Sequence, residues 1–293
     1  MNLHGIRALT FDVVGTLIDF ETGILRGVRS VAGPEGPDDE AVLAAFGAAE
    51  AVQQELTPEM PFTAMLDPIS ARLAVDLGIP GLDGGEGPSP LRRSIGSWPA
   101  FPDSVEALRE LGERFVLVAV TNADRPALDA MAATLGNPFA DGVTVDQVGV
   151  NKPDPRMFEA GLATLEALGI RRDEVLHVAQ SQYHDIGAAR RLGLATCWVE
   201  RRQGRVGSGA TPAAAEITTP DLHVGSMAEV VEALRVGGGL SRLPHAYPES
   251  GSSGPGSRPC VRATGSPDPS SGGRTRTGTP STRPESRLAA RIS

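Results

Sequence analysis

An aspartate at the end of the first apolar segment has the clearest chemical potential in this chain. Asp12 lies in the stretch FDVVGTL, directly before a turn that contains Gly15 and Thr16. A carboxylate delivered by a strand can attack carbon or phosphorus and form a covalent ester. A second acid two residues later could protonate a leaving alkoxide, but Val14 occupies that position. The stretch therefore favours a leaving group that needs no proton, although a plain strand-to-loop aspartate explains this segment at least as well.

Two polar residues follow the second apolar segment. Thr121 and Asn122 come directly after the run FVLVAV. Their hydroxyl and amide could donate hydrogen bonds to an anionic substrate. The alternative is a helix cap, since Asn and Asp are favoured at helix N-termini. We interpret Asp124 as a cap only.

The stretch VNKPDP contains the only lysine of the chain. The other 26 of the 27 Lys and Arg residues are arginines. Lys152 lies between a strand-like run and two prolines, Pro153 and Pro155. The stiff backbone there would hold its ammonium group in place beside clustered carboxylates. The alternative is a surface lysine in a turn.

A last polar group follows the strand-like segment VLHVA. Asp185 lies just beyond that segment and could face Asp12. Gln180 and Gln182 alternate along what we interpret as extended chain, so they should point the same way and contact a substrate. We interpret His184 as a cap or a supporting residue, because Asp185 explains the geometry without a histidine base.

These groups follow short apolar segments that alternate with helical patterns. Strands are predicted at 8–12, 115–120, 175–179, 195–199 and, more weakly, 222–224. Helices are predicted at 103–111 with Asp103 as the cap, 155–168, 184–192 and 226–234. The alternation predicts an α/β fold, a Rossmann-like parallel sheet with helices on both faces. Ligands bind beyond the carboxyl ends of such strands, so the four polar groups should converge.

Residues 21–98 break this alternation and predict a small helical cap inserted after the first strand. Helices are expected at 38–56 and at 62–77, the latter interrupted by Pro68, with a loop at 78–90. We therefore predict a core domain of residues 1–20 and 99–238 and a cap domain of residues 21–98. Residues 239–293 are rich in Pro, Gly, Ser and Arg, and we expect a disordered tail because they offer little apolar surface to bury.

Composition excludes several functional classes. The formal net charge of -9 argues against nucleic acid as a partner, because phosphate-binding surfaces need clustered Lys and Arg. No apolar run approaches the ~20 residues of a membrane span. A core strand begins by Ala8, which leaves no room for a signal peptide. Cys197 and Cys260 imply neither a disulfide framework nor a zinc site, so we expect a cytoplasmic protein.

The four motifs in this order resemble the haloacid dehalogenase superfamily over roughly residues 6 to 236. The first motif lacks the second Asp of the phosphatases, and in this the chain resembles the type II L-2-haloacid dehalogenase branch. Further matches are Thr121-Asn122, Lys152-Pro153-Asp154 and the final Asp185.

The resemblance implies a hydrolase in which Asp12 is the nucleophile and a covalent ester is hydrolysed by water. Lys152 and Asp185 would orient or activate that water. A small anionic substrate would be bound by five residues: Thr16, Thr121, Asn122, Gln180 and Gln182. No cofactor is needed, and a homodimer is compatible with the resemblance.

Dehalogenases of this branch use an arginine of the cap near the halide. The corresponding helix contains Phe46 to Glu50 and no Arg, so the candidates are Arg26, Arg29 and Arg72. The alternative function is a phosphatase of the same fold, acting on a small phosphate ester, with Mg²⁺ held by Asp12 and Asp185. A third hypothesis is a non-enzymatic binding protein that has kept the fold.

Overall fold

A six-stranded parallel sheet forms the centre of the molecule. The computed structural model describes residues 5–237, so the predicted tail and Cys260 lie outside the described residues. The strands lie in the order β3-β2-β1-β4-β5-β6, and every pair is parallel. Their bounds are β1 Ala8–Phe11, β2 Val116–Val120, β3 Asp141–Val143, β4 Val175–Ala179, β5 Ala195–Val199 and β6 Leu222–Val224. The predicted α/β fold is confirmed.

Apolar side chains cover both faces of this sheet. Successive residues of a strand point to opposite faces, and the core residues divide accordingly. Leu9 and Phe11 of β1 belong to one buried cluster, whereas Ala8 packs with Met157 and Phe158 in the other. Burial on both faces explains why the strands read as continuous apolar runs.

Helices connect these strands and fill the interval between β1 and β2. The first four of the five helices in that interval, together with a short 3-10 turn, are α1 Phe20–Ala32, α2 Asp39–Leu56, α3 Phe62–Asp76, α4 Pro90–Ser94 and Ile95–Ser97. We call these elements the helical insertion. The remaining helices are α5 Ser104–Gly112, α6 Arg125–Thr134, α7 Val145–Val148, α8 Pro155–Glu166, a π-helix Gln182–Ile186, α9 Gly187–Arg191 and α10 Met227–Gly237, with a 3-10 turn at Arg172–Glu174.

The insertion and the sheet belong to one compact unit. The division into a core domain and a cap domain therefore stays a prediction. A close approach fixes the insertion locally, because a Cβ on Gly23 of α1 would meet the ring of Trp98 at 2.4 Å.

Several local expectations were wrong. Strand β3 was not expected, because three residues carry too little periodicity to identify a strand. Pro68 does not interrupt α3, which runs through it as one helix. The apolar residues before Lys152 form the short helix α7 and a loop rather than a strand.

Asp103 occupies the N-cap position of α5 as predicted, but its carboxylate makes no capping bond there. It instead binds the guanidinium of Arg201 at 2.8 Å and accepts from the backbone N–H of Met227. In contrast, Asp124 caps α6 as predicted, since its carboxylate accepts from the backbone N–H of Ala127. Within residues 5–237, every helix is too short or too polar to cross a bilayer.

Candidate active site

The carboxyl end of β1 delivers Asp12 into a tight turn. Gly15 adopts a φ of +89° there, a conformation that residues other than glycine rarely adopt. The turn brings Thr16 back, so that its hydroxyl donates to Asp12 Oδ2 at 2.5 Å. The backbone N–H of Gln180, at the end of β4, donates to the same hydroxyl oxygen at 2.9 Å. The first and last motifs are thus joined through Thr16.

Lys152 lies between the two acids of the site. Its Nζ is 2.8 Å from Asp12 Oδ1 and 2.7 Å from Asp185 Oδ1, and its side chain is 1 % exposed. His177 of β4 contacts the same Asp185 oxygen at 3.1 Å through Nε2. Asp185 Oδ2 is buried and makes no hydrogen bond to the described residues. The convergence of Asp12, Lys152 and Asp185 agrees with the sequence analysis.

Burial and ion pairing oppose one another in this cluster. Burial alone would raise the pKa of Asp185, but Lys152 and His177 outweigh it and lower that pKa to about 2. Burial raises the pKa of Asp12, and the Lys152 ammonium and Thr16 hydroxyl act against that rise. Burial also disfavours the charge of Lys152, yet the two carboxylates outweigh it and raise its pKa. Lys152 is therefore a permanent cation in the site.

The second motif holds the lysine loop. The amide of Asn122 accepts from the backbone N–H of Lys152 at 2.7 Å and donates to its carbonyl at 3.2 Å. A cis peptide bond joins Lys152 to Pro153. Thr121 Oγ1 accepts from the backbone N–H of Ala123, so its own proton can be donated elsewhere. Both Thr121 and Asn122 line the cavity described next.

A cavity of about 40 Å³ lies between this cluster and the helical insertion. The insertion contributes Phe20, Glu50 and Phe62 to the lining. Glu50 is 4 % exposed, and burial together with the negative charge of Asp12 raises its pKa to about 8. The insertion therefore contributes two aromatic rings and one carboxyl group with a raised pKa to the cavity lining.

His184 joins the insertion to the sheet. Its Nε2 lies 2.9 Å from Gln54 Oε1 on α2, and its Nδ1 lies 3.1 Å from Ser181 Oγ. Gln54 Nε2 donates in turn to Glu50 Oε1 at 2.9 Å. Burial lowers the pKa of His184 to about 4, so the ring is neutral. His184 also lines the cavity, and its interpretation as a supporting residue stays a prediction.

The two glutamines of the last motif do not point the same way. Gln180 lines the cavity and donates to Thr211 Oγ1 at 2.9 Å. Gln182 begins the π-helix, and its amide bonds the backbone N–H and C=O of Thr218 outside the cavity. The prediction that Gln182 contacts a substrate was wrong, because the chain turns helical there and the alternation of an extended segment is lost.

Gln182→Ala should therefore leave catalysis unchanged within about twofold while destabilising the fold by about 1 kcal/mol. Gln180→Ala, the matched variant, should raise KM because Gln180 lines the cavity. Steady-state kinetics and urea unfolding of both variants provide the comparison. Equal increases in KM would contradict this assignment.

None of the expected arginines reaches the cavity. Arg26 and Arg29 are exposed on α1, and Arg29 pairs with Asp39. Arg72 is exposed on α3 and pairs with Asp76 at 2.7 Å. Because these three arginines lie on outward helix faces, the expectation that one of them lies near the halide was wrong.

The residues of the site fit Mg²⁺ poorly. Magnesium demands near-octahedral oxygen coordination. Both oxygens of Asp12 are hydrogen-bonded, which leaves Asp185 Oδ2 as the free carboxylate oxygen of the pair, beside an ammonium group. Within residues 5–237 no group of three or more His, Cys, Asp or Glu side chains could hold a metal ion.

Sequence reasoning missed several residues of this site. His177 had a signal, since it is a polar residue in the middle of a buried strand. Glu50 and Gln54 also had a signal in the sequence, because they are two polar residues four apart and therefore lie on the same helix face. Thr211 had none, since it lies on the irregular segment after β5.

Comparisons with known proteins are consistent with this geometry. A family model described as haloacid dehalogenase-like hydrolase matches residues 6–193. A phosphoserine phosphatase of Thermus thermophilus is 30% identical over 136 residues, which are 45% of this chain and 50% of that protein. An (S)-2-haloacid dehalogenase of Burkholderia cepacia is 28% identical over 106 residues, 35% of this chain and 44% of that protein. The matched segments span half or less of these relatives.

Solved structures share the fold. The L-2-haloacid dehalogenase from Xanthobacter autotrophicus superposes with a TM-score of 0.58 at 20% identity, covering 78% of this chain and 98% of that one. A defluorinating L-2-haloacid dehalogenase superposes with a TM-score of 0.64 at 23% identity, covering 78% of this chain and 95% of that one.

Proposed function

Because the chain belongs to the haloacid dehalogenase-like hydrolases, we propose that it hydrolyses the carbon–halogen bond of a small 2-halo acid without a metal. The observation that carries this proposal is the contact of one buried ammonium, Lys152, with both Asp12 and Asp185. Val14 lines the cavity with an apolar side chain, at the position where an acidic residue would protonate a leaving alkoxide. A halide departs as a stable anion and needs no such acid.

In the first step an oxygen of Asp12 attacks the halogen-bearing carbon. A carbon–oxygen bond forms, the carbon–halogen bond breaks, and the halide leaves with the bonding electrons. The product is an ester on Asp12. Thr16 and Lys152 position the nucleophile through its two oxygens, and Thr121 has a hydroxyl proton for the carboxylate of the substrate.

In the second step water attacks the ester carbonyl of Asp12. Asp185 Oδ2, which is without a partner among the described residues, accepts a hydrogen bond from that water and orients it. Lys152 stabilises the negative charge that develops on the carbonyl oxygen. The 2-hydroxy acid leaves, one proton passes to solvent, and the Asp12 carboxylate is regenerated.

An oxygen-18 experiment tests this route. We expect (S)-2-chloropropionate to release chloride, and a single turnover with excess enzyme in oxygen-18 water to label Asp12 rather than the product. The label is expected on Asp12 because water attacks the ester carbonyl and the product keeps an oxygen of the enzyme. Mass spectrometry of the peptide containing Asp12 reads the result. Label in the product alone would contradict a covalent ester.

A phosphatase is the second candidate, and the Thermus thermophilus relative favours it. Release of p-nitrophenol from p-nitrophenyl phosphate, measured with Mg²⁺ and with a chelator, distinguishes the two. Magnesium-dependent release without any halide release from halo acids would replace our proposal with the alternative.

The cavity of about 40 Å³ supports a small substrate, and Lys152 supports an anionic one. A cytoplasmic location, a homodimer and the absence of nucleic-acid and membrane partners remain predictions from the sequence.

A further inference from the structure

Glu50 is the one titratable side chain that the helical insertion contributes to the cavity lining among the described residues. The insertion also supplies Phe20 and Phe62 to the lining, so Glu50 is its single polar side chain there. Asp12 comes from the end of β1, and Lys152 comes from the loop between α7 and α8. The cavity is therefore lined by a nucleophile from the sheet and by a carboxyl group from the insertion.

Displacement at carbon fixes where the leaving atom must point. The nucleophile enters opposite the bond that breaks, so a carbon attacked by Asp12 directs its departing atom away from the sheet. The part of the lining that the sheet and its loops do not provide comes from the insertion, whose one polar side chain there is Glu50. The atom gains negative charge as it departs, and a donor placed there stabilises it more in the transition state than in the ground state.

A chain of hydrogen bonds orients the carboxyl group of Glu50. Ser181 Oγ accepts from the backbone N–H of His184 at 2.9 Å, so the hydroxyl proton is directed to Nδ1 of that ring. Nε2 then carries the ring proton and donates it to Gln54 Oε1. Gln54 Nε2 donates to Glu50 Oε1. Because Oε1 accepts, the acidic proton of Glu50 belongs on Oε2.

Oε2 of Glu50 is the oxygen left for a ligand. This oxygen has no hydrogen-bond partner among the described residues. It does not belong to the fully buried polar atoms that lack a partner, so part of its surface is accessible. We propose that Glu50 donates a hydrogen bond from Oε2 to the departing halide, in place of an arginine; this role rests on the function proposed above. Gln54 and His184 are positioning residues in this scheme.

The surroundings of Glu50 keep it neutral near pH 7. The charged groups that line the cavity with it are Asp12, Lys152 and Asp185, and its other titratable neighbours are His184 and Tyr183. Burial first, and then the charge of Asp12, raises its pKa to about 8. Deprotonation above that pH replaces a donor with an anion, which repels a halide.

Four proteins test the role of Glu50: the wild type, Glu50→Gln, Glu50→Ala and the control Glu55→Gln, an exposed residue of the same helix. Halide release from (S)-2-chloropropionate gives kcat/KM from about pH 6 to about pH 10. The wild type and the control should lose activity about tenfold per pH unit above pH 8. Glu50→Gln should keep most of the neutral activity without this alkaline fall, because an amide N–H donates at every pH. Glu50→Ala should lose about 10²-fold in kcat.

Binding of bromide ion is the second readout, and it needs no turnover. Wild-type affinity for bromide should fall as pH rises through about 8, whereas the affinity of Glu50→Gln should stay constant. If no halo acid is turned over, the proposed function fails and bromide binding still tests Glu50. An activity that rises with pH would overturn the inference, because an anionic Glu50 that binds an ammonium group would give that result. An alkaline fall or a pH-dependent bromide affinity that persists in Glu50→Gln also overturns it.

Discussion

Asp12→Asn is expected to lower kcat by about 10⁴-fold or more, because the amide cannot form the ester of the proposed reaction. The side chain stays nearly the same size and keeps the Thr16 contact, and Lys152 keeps its pairing with Asp185 at 2.7 Å. We therefore expect the variant to fold and to bind substrate, with the loss confined to kcat. Halide release and substrate binding measured on the same preparation test this split.

The matched control is Asp154→Asn. Asp154 is half-buried, and its carboxylate caps α8 by accepting from the backbone N–H of Arg156 at 2.9 Å. An asparagine caps a helix about as well as an aspartate, so this variant should keep wild-type activity. Residual activity of Asp12→Asn within tenfold of the control would remove Asp12 from the chemistry.

Lys152→Met is expected to cost about 3–5 kcal/mol of unfolding free energy, in addition to activity. A methionine fills similar space but leaves the carboxylates of Asp12 and Asp185 buried near each other without a cation. Breaking a buried pair by removing one partner leaves an uncompensated charge, and the penalty has this size. The loss should shrink as pH falls, because protonation of the stranded carboxylates removes the repulsion. Urea unfolding at neutral and acidic pH measures both effects.

Arg72→Met provides the comparison. Arg72 also contacts a carboxylate, Asp76, at 2.7 Å, but both side chains are exposed. Such pairs are worth about 0–1 kcal/mol. The double variant Asp12→Asn with Lys152→Met should regain part of the lost stability, since it strands one charge instead of two. If Lys152→Met lowers the free energy of unfolding no more than Arg72→Met does, the lysine does not hold the cluster together.

Much of the site was predictable because it depends on one topological rule. Parallel strands end at the same edge of a sheet, so Asp12 and Asp185 could be brought together before any coordinates were known, whereas Lys152 reaches them from the loop between α7 and α8. The strands themselves were identifiable because burial on both faces makes them continuous apolar runs. Strand β3 was missed because it is three residues long.

Errors arose where local geometry departs from the repeat that sequence reasoning assumes. Gln182 was placed on the cavity by the alternation of a strand, but a π-helix begins at that residue. Asp103 occupies the N-cap position of α5, but its carboxylate binds an arginine nearly 100 residues later and not the helix. Local backbone geometry decided the first outcome, and a tertiary partner decided the second.

The sequence by itself indicated the parallel sheet and the grouping of Asp12, Lys152 and Asp185 at its edge, because apolar runs identify the strands and the motifs follow them. Only the tertiary structure decided what faces them. The orientation of the insertion places Glu50, Gln54 and His184 in one hydrogen-bonded chain and leaves its arginines on outward faces. Helical periodicity fixes which residues share a face, but the packing of that face against the sheet depends on contacts between distant parts of the chain.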